Sequence, residues 1–481
     1  MSLTSSLSSA VTGLGLTARR AEMIASNVAN ADTPGYAARR LATNGPVTGI
    51  PNAGTAVTRS LDANLLAMRR DAESRSAGAS IDQSFQTRID GMIGDPGQGG
   101  SLQDLLARLD ASLTTAAADP TSVTRLATVA RGAQDLTDKI NALGDAVTVE
   151  RQSSEGRIAK TVDRLNTDLS LVERLNSNIV RMQATGNDPS NLVDQRQLVI
   201  DRISQDIPLR EMQRDNGTVA LVSQGGALLL DGRAAKIEFV ANPLVQPGMA
   251  YPIALSGLTL NGRDVGTATP GSELAGGGLG ALFALRDEAA PEAMARLDTF
   301  AADLAERFQD PTVDPSLAGA MPGLFTDAGS TFAAVNMVGL SSRLTLNASV
   351  APDGAAETWR LRDGVAAAIP GAASNPAQLL RFSDALSGPR LPAGGALGST
   401  ARSTSDLASV LRSTLSSDRV AADDRMAVAG AERDTLVALR DGGKVDIDGE
   451  MRRLIEVEQA YAANARIIQA VDQMMNRLTE I

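Results

Sequence analysis

The sequence predicts a mainly α protein with a small β module, its terminal helices paired as a coiled coil and a body of long helices between them. Three observations predict this. Apolar residues recur at three-and-four spacing through both ends and much of the middle. Aromatic residues make up 2% of the 481, so the core must be built from Ala, Leu, Val and Ile, which pack between close helices. From Asp215-Asn216-Gly217 the pattern changes to short runs broken by glycines, as strands and tight turns require.

Taken in order, the first helix carries a heptad seam of Leu3, Leu7, Ala10, Leu14, Ala21, Ile24 and Val28, with Thr17 in the remaining slot. It ends near Asn27 and Asn30, before Thr33-Pro34-Gly35-Tyr36, where Pro presets one turn position and Gly accepts the positive φ of the next. Helical periodicity continues over 102–113, 123–147, 158–182 and 192–207, the third as Ile158, Val162, Leu165, Leu169, Val172, Leu175, Ile179 and Met182. The β module follows with Thr218, Val219, Leu221 and Val222, then Gly225-Gly226, Leu228 to Leu230 and Asp231-Gly232. Helices return at Leu279 to Leu285, with Pro291 suited to a first turn and Leu297, Phe300, Leu304 and Phe308 on one face. Residues 311–400 mix Pro, Gly, Ser and Ala with short apolar runs and carry no assignable pattern.

The last helix starts after Asp441-Gly442-Gly443, with Asp446, Asp448 and Glu450 placed to cap free amides and oppose the macrodipole. Its seam is Leu454, Val457, Tyr461, Asn464, Ile468, Val471, Met475 and Leu478, with Asn464 in the one polar slot. At about 1.5 Å per residue the terminal helices would span on the order of 40 and 50 Å, matched well enough to pair. At roughly 150 residues per domain the length suggests about three units. These are read as 1–45 with 440–481 for the terminal pair, 46–210 with 272–439 for the helical body, and 211–271 for the β module.

Composition excludes much chemistry. The chain has no Cys and no His, which removes thiol nucleophiles, imidazole bases, disulfides and zinc fingers. A net charge of −11 offers no basic surplus for nucleic acid or an anionic membrane. There is neither a membrane-length apolar run nor a Sec-type signal with a basic start, since the first positive charge is Arg19. Gly13-Leu14-Gly15-Leu16-Thr17-Ala18 spells a dinucleotide fingerprint but lies inside a helical seam with no strand before it. Gly442-Gly443-Lys444 lacks the leading Gly and the Ser/Thr of a phosphate loop, and Asp446 to Glu450 has Met451 where a calcium loop needs Gly. No catalytic, cofactor-binding or metal-ligating residues are expected. A carboxylate-dependent cell-wall hydrolase is the alternative from another class, disfavoured by the scarcity of aromatic sugar platforms.

Ser26-Asn27-Val28-Ala29-Asn30-Ala31-Asp32-Thr33-Pro34-Gly35-Tyr36 resembles the N-terminal signature of bacterial flagellar rod, hook and hook-associated proteins. The run from Leu454 through Tyr461 and Asn464 to Arg466 resembles their C-terminal one. Leu192 to Leu198, Asn216 to Val219, and Leu279 to Glu288 with Pro291 and Leu297-Asp298 are similar to the hook-associated protein 1 family (FlgK). The long helices of 102–207 separate it from the alternative of a hook or rod subunit, whose middles are mainly β. The resemblance implies an axial coiled coil of the two ends, with an outer β domain reduced or absent over 311–400. It implies a structural subunit of the hook–filament junction that performs no reaction. Its partners would be further copies of itself in a ring, the hook protein, the second hook-associated protein (FlgL) and an export chaperone (FlgN), with neither nucleic acid nor membrane. Its location would be extracellular, in the flagellum, reached by type III export without a Sec signal. Leu3, Leu7, Leu14, Ile24 and Val28 with Leu454, Val457, Tyr461, Asn464, Ile468, Val471, Met475 and Leu478 are the expected assembly interface; Asn30, Thr33, Pro34, Gly35 and Tyr36 are the expected turn motif.

Overall fold

The computed structural model describes residues 3–33, 36–43, 55–59, 62–97, 99–267, 269, 271–319, 321–442 and 445–479. Helices dominate: α1 (Leu3–Ala29), α2 (Ala63–Ile93), α3 (Leu102–Ala118), α4 (Val123–Ala184), α5 (Ser190–Asp206), α6 (Gly277–Ala284), α7 (Ala290–Phe308), α8 (Arg360–Asp363), α9 (Ala377–Ser387), α10 (Thr404–Gly442) and α11 (Ile447–Thr479). The strands are short and antiparallel: β1 (Arg39–Thr43), β2 (Thr55–Arg59), β3 (Leu209–Gln213), β4 (Val219–Ser223), β5 (Leu228–Asp231), β6 (Arg233–Ala234), β7 (Ile237–Glu238), β8 (Leu258–Leu260), β9 (Arg263–Val265), β10 (Phe325–Asp327) and β11 (Leu344–Leu346). None of the described helices is long and apolar enough to cross a membrane.

Contacts divide the chain into two compact units, Met1–Ser74 with Leu165–Ala235 and Gly430–Ile481, and Arg75–Arg164 with Lys236–Ala429. In the first, Leu165, Leu169, Val172 and Ile179 of α4 and Val199, Ile200 and Ile203 of α5 are buried, as are Val219, Leu221 and Leu229 of the sheet β3-β4-β5-β6. Polar ties fix the register. Asn176 Nδ2 donates to the Val219 carbonyl at 2.9 Å, and Arg196 Nη1 donates to Asn176 Oδ1 at 2.8 Å and to the Gly217 carbonyl at 2.9 Å. Gly217 has φ +75°, the left-handed position that the Asn-Gly turn demands, and Asn216 Oδ1 accepts the Thr218 amide.

In the second unit Ser101 caps α3, its hydroxyl accepting the Asp104 amide at 3.2 Å, and α3 packs against α9. Phe300, Leu304 and Phe308 of α7 are buried, and the Phe308 ring meets Phe325 edge-on with centroids 5.1 Å apart. Residues 311–400, unreadable in the sequence, are folded into this same core. They hold two three-residue strands, the helices α8 and α9 and several turns, and bury Phe332, Leu340, Leu361, Leu379 and Phe382 among others.

Three expectations differ in detail. The segments 123–147 and 158–182 form one continuous helix, α4. Between them the buried face carries Arg151, Ser154 and Glu155 instead of leucines, which interrupts the apolar period without interrupting the helix. Residues 211–271 hold two sheets. The chain reverses at Asp231-Gly232 so that β6 pairs back on β5, and Ile237 then pairs with Leu260 in the separate sheet β7-β8-β9. Between α6 and α7 lies a π-helical turn, Leu285–Ala289, which places the fully buried Arg286 between Glu155 and Asp287.

Candidate assembly interface

The helices α1 and α11 pack along each other. Two contacts give their direction: Asn27 Nδ2 donates to Glu450 Oε2 at 3.3 Å, and Gly13 faces the amide of Asn464. Rising numbers on one helix meet falling numbers on the other with equal separation, so the pair is antiparallel and its register unslipped. A Cβ on Gly13 would lie 2.8 Å from Asn464 Nδ2, so glycine there gives the one polar residue of the α11 seam its space.

The fully buried column of α1 is Ala10, Thr17 and Ile24, a strict heptad, with the Thr17 hydroxyl satisfied by the Gly13 and Leu14 carbonyls at 3.0 and 2.9 Å. Of the seam residues, Ile24 and Val471 are buried, and Leu14, Val28, Leu454, Val457, Asn464 and Ile468 are half-buried. Leu7, Tyr461 and Met475 stand exposed at 38, 50 and 45%. A straight helix drifts about 20° per heptad from a 3.5-residue seam, so one partner helix cannot cover every seam position. Outside the seam Val11, Ile455, Ile467 and Met474 are exposed at 55, 53, 46 and 47%. The side chains of Leu3 and Leu478, and the turn residues Pro34 and Gly35, lie outside the described residues.

At the end of α1 the signature residues form a polar knot. Asn27, 1% exposed, donates to the Arg39 carbonyl at 2.9 Å, while its Oδ1 accepts the Arg39 amide at 2.9 Å and the Tyr36 hydroxyl at 2.8 Å. Arg39 lies over the Tyr36 ring and reaches Asn191 Oδ1 at 2.7 Å and Asp194 Oδ2 at 3.2 Å on α5. Asn30 Nδ2 donates to the Ser26 carbonyl, and the amides of Thr33 and Tyr36 donate to the carbonyls of Asn30 and Thr33. Glu450, expected near the N-terminus of α11 as a capping carboxylate, is buried and bonded to Asn27 and Arg453. The sequence named the turn but not the knot's centre: a buried Asn three residues past Ile24, on the seam face, is the signal that marks it.

Three family models match this chain. The FlgK helical domain of flagellar hook-associated proteins matches residues 86–311. The flagella basal body rod protein family matches 7–36, and the C-terminal family of the rod proteins FlgEFG matches 442–481, so both paired helices fall within flagellar families. These matches make the chain similar to the flagellar hook-associated protein 1 family. Its Bacillus subtilis member is 23% identical, covering 94% of this chain and 93% of that protein. The Salmonella typhimurium member is 24% identical over 49% of this chain, and that match spans less than half, 44%, of its own length. The solved hook junction protein FlgK of Burkholderia pseudomallei is 22% identical, with a TM-score of 0.43 over 55% of this chain and 47% of that one. The family is structural and flagellar, which sets aside the wall hydrolase. Its FlgK helical domain favours a hook-associated protein over a hook or rod subunit.

Proposed function

We propose that this chain is a structural subunit of the bacterial flagellum at the junction of hook and filament, where copies assemble as a ring through their terminal helices. One observation carries the reading: α1 and α11 are locked in register, yet Val11, Ile455, Ile467 and Met474 stay about half exposed on the pair. Neighbouring copies cover that surface, and each Å² of apolar area removed from water contributes about 25 cal/mol. The assembly interface consists of Leu3, Leu7, Leu14, Ile24 and Val28 with Leu454, Val457, Tyr461, Asn464, Ile468, Val471, Met475 and Leu478.

In this reading residues 1–45 and 440–481 are the axial part, and the remainder is the outward-facing body. The ring has the hook protein below it and FlgL above, and the protein leaves the cell through the flagellar type III pathway. Before export, apolar terminal helices of this kind need a cover, which is the role assigned to the chaperone FlgN. Leu14→Asp or Ile468→Asp places a charge in the half-buried seam. Each is expected to abolish incorporation and swimming while the far-ultraviolet circular dichroism of the helical body is retained; normal swimming by either variant refutes the proposal.

A further inference from the structure

The connection from β7 to β8, residues 239–257, contains no Asp, Glu, Lys or Arg in a chain that is 21% charged. It is tightly held. Its own Val245 and Leu255 are buried; the Asn242 amide donates to Glu155 Oε1 at 2.8 Å and the Val245 amide to Gln152 Oε1 at 2.6 Å. Arg151 Nη1 donates to the carbonyls of Gln246 and Pro247 at 3.2 and 3.0 Å, and Arg286 Nη2 to that of Ser256 at 3.1 Å. This fixed loop nevertheless presents Val240, Leu244 and Ile253 to solvent at 76, 60 and 93% exposure.

On the same unit lies a cavity of about 180 Å³, lined by Val147, Pro247, Pro291, Met294, Met337 and Val338. Its two charged residues are already engaged: Arg151 with loop carbonyls, and Asp298 with the Gly339 amide at 2.6 Å and Ser341 Oγ at 2.7 Å. The cavity therefore calls for an apolar guest, and its volume is about that of six waters.

We propose that Ile253 of one copy enters this cavity on the next copy, as a lateral contact between subunits. The inference rests on the reading that copies assemble into a ring. Copies of net charge −11 repel each other, and a charge-free loop is where they can meet without desolvating like charges. Ile253 is not among the residues that line the cavity, so knob and hole are distinct parts of one unit and the contact is head-to-tail, the kind that closes rings.

The chain has no cysteine, so introduced thiols report only on themselves. Full-length chains carrying Ile253→Cys with one tag and Val338→Cys with another are expressed together, and isolated hook–filament complexes are mildly oxidised. A disulfide-linked dimer with both tags is expected, and is lost when Ile253→Cys is replaced by the exposed Val123→Cys. Ile253→Cys linked to itself, or to a different protein, or no mixed dimer although both chains are incorporated, overturns the knob-and-hole contact alone. Absence of both chains from the complexes overturns the ring reading as well.

Discussion

At the residue scale, the helix pair is aligned by groups that a purely apolar seam would not contain. A glycine inside a helix costs about 0.5–1 kcal/mol relative to alanine, and at Gly13 that loss is accepted for the approach of Asn464. Gly13→Ala is therefore expected to be neutral or destabilising in the native background, and stabilising by about 0.5–1 kcal/mol in an Asn464→Ala background. Urea unfolding of the four chains of that cycle measures the difference; equal effects in both backgrounds mean that the two residues do not interact. Asp298 allows a pH prediction. Burial pushes its carboxyl above the usual range, although Ser341 and Gly339 donate to it. The folded chain thus keeps this proton to higher pH than the unfolded chain. The contribution is fully present below the ordinary carboxyl value and is lost as pH rises through the raised one. Asp298→Asn should remove this downward slope of stability with pH, and at neutral pH should cost roughly 1–3 kcal/mol because an amide cannot accept from all the donors present. Parallel urea titrations of both chains between about pH 4 and pH 8 measure the two slopes; equal slopes would mean that Asp298 is not the group responsible.

At the element scale, the long helices were legible wherever one face was continuously apolar and obscure wherever buried polar groups replaced it. The run from Ile158 to Ile179 in α4 could be read residue by residue. The stretch of α4 around Arg151, Ser154 and Glu155 could not, because that face holds a loop by hydrogen bonds instead of packing on leucines. Residues 311–400 hid for another reason: isolated anchors such as Phe332 and Leu361 have no period to detect. Asn27 was visible as a letter of the signature, but its three-way bonding to Tyr36, Arg39 and Glu450 needed the fold to bring those residues together. The same contrast governs dynamics. A two-helix pair with half-exposed apolar flanks opens more readily than a helix buried between a second helix and a sheet. In the isolated chain, amides of residues 7–28 should exchange with solvent faster than those of 165–179. Equal protection of the two segments in dilute solution would mean that the terminal pair needs no neighbours.

At the scale of the whole molecule, a charge of −11 is spread over a chain whose proposed contacts are apolar. Assembly then sets short-range burial against long-range repulsion, and salt separates the two. Raising ionic strength shortens the screening length, from about 30 Å at 0.01 M to about 8 Å at 0.15 M, and weakens repulsion between copies while leaving apolar burial nearly untouched. An interface held by paired charges would respond in the opposite sense, because screening would weaken the attraction itself. Addition of purified chain to hook ends lacking it should therefore become faster and more complete as salt rises over that range. Counting capped hooks by electron microscopy at each concentration is a direct measure. A steep decline with salt would place the binding energy in ion pairs and remove the apolar flanks of α1 and α11 from their proposed role.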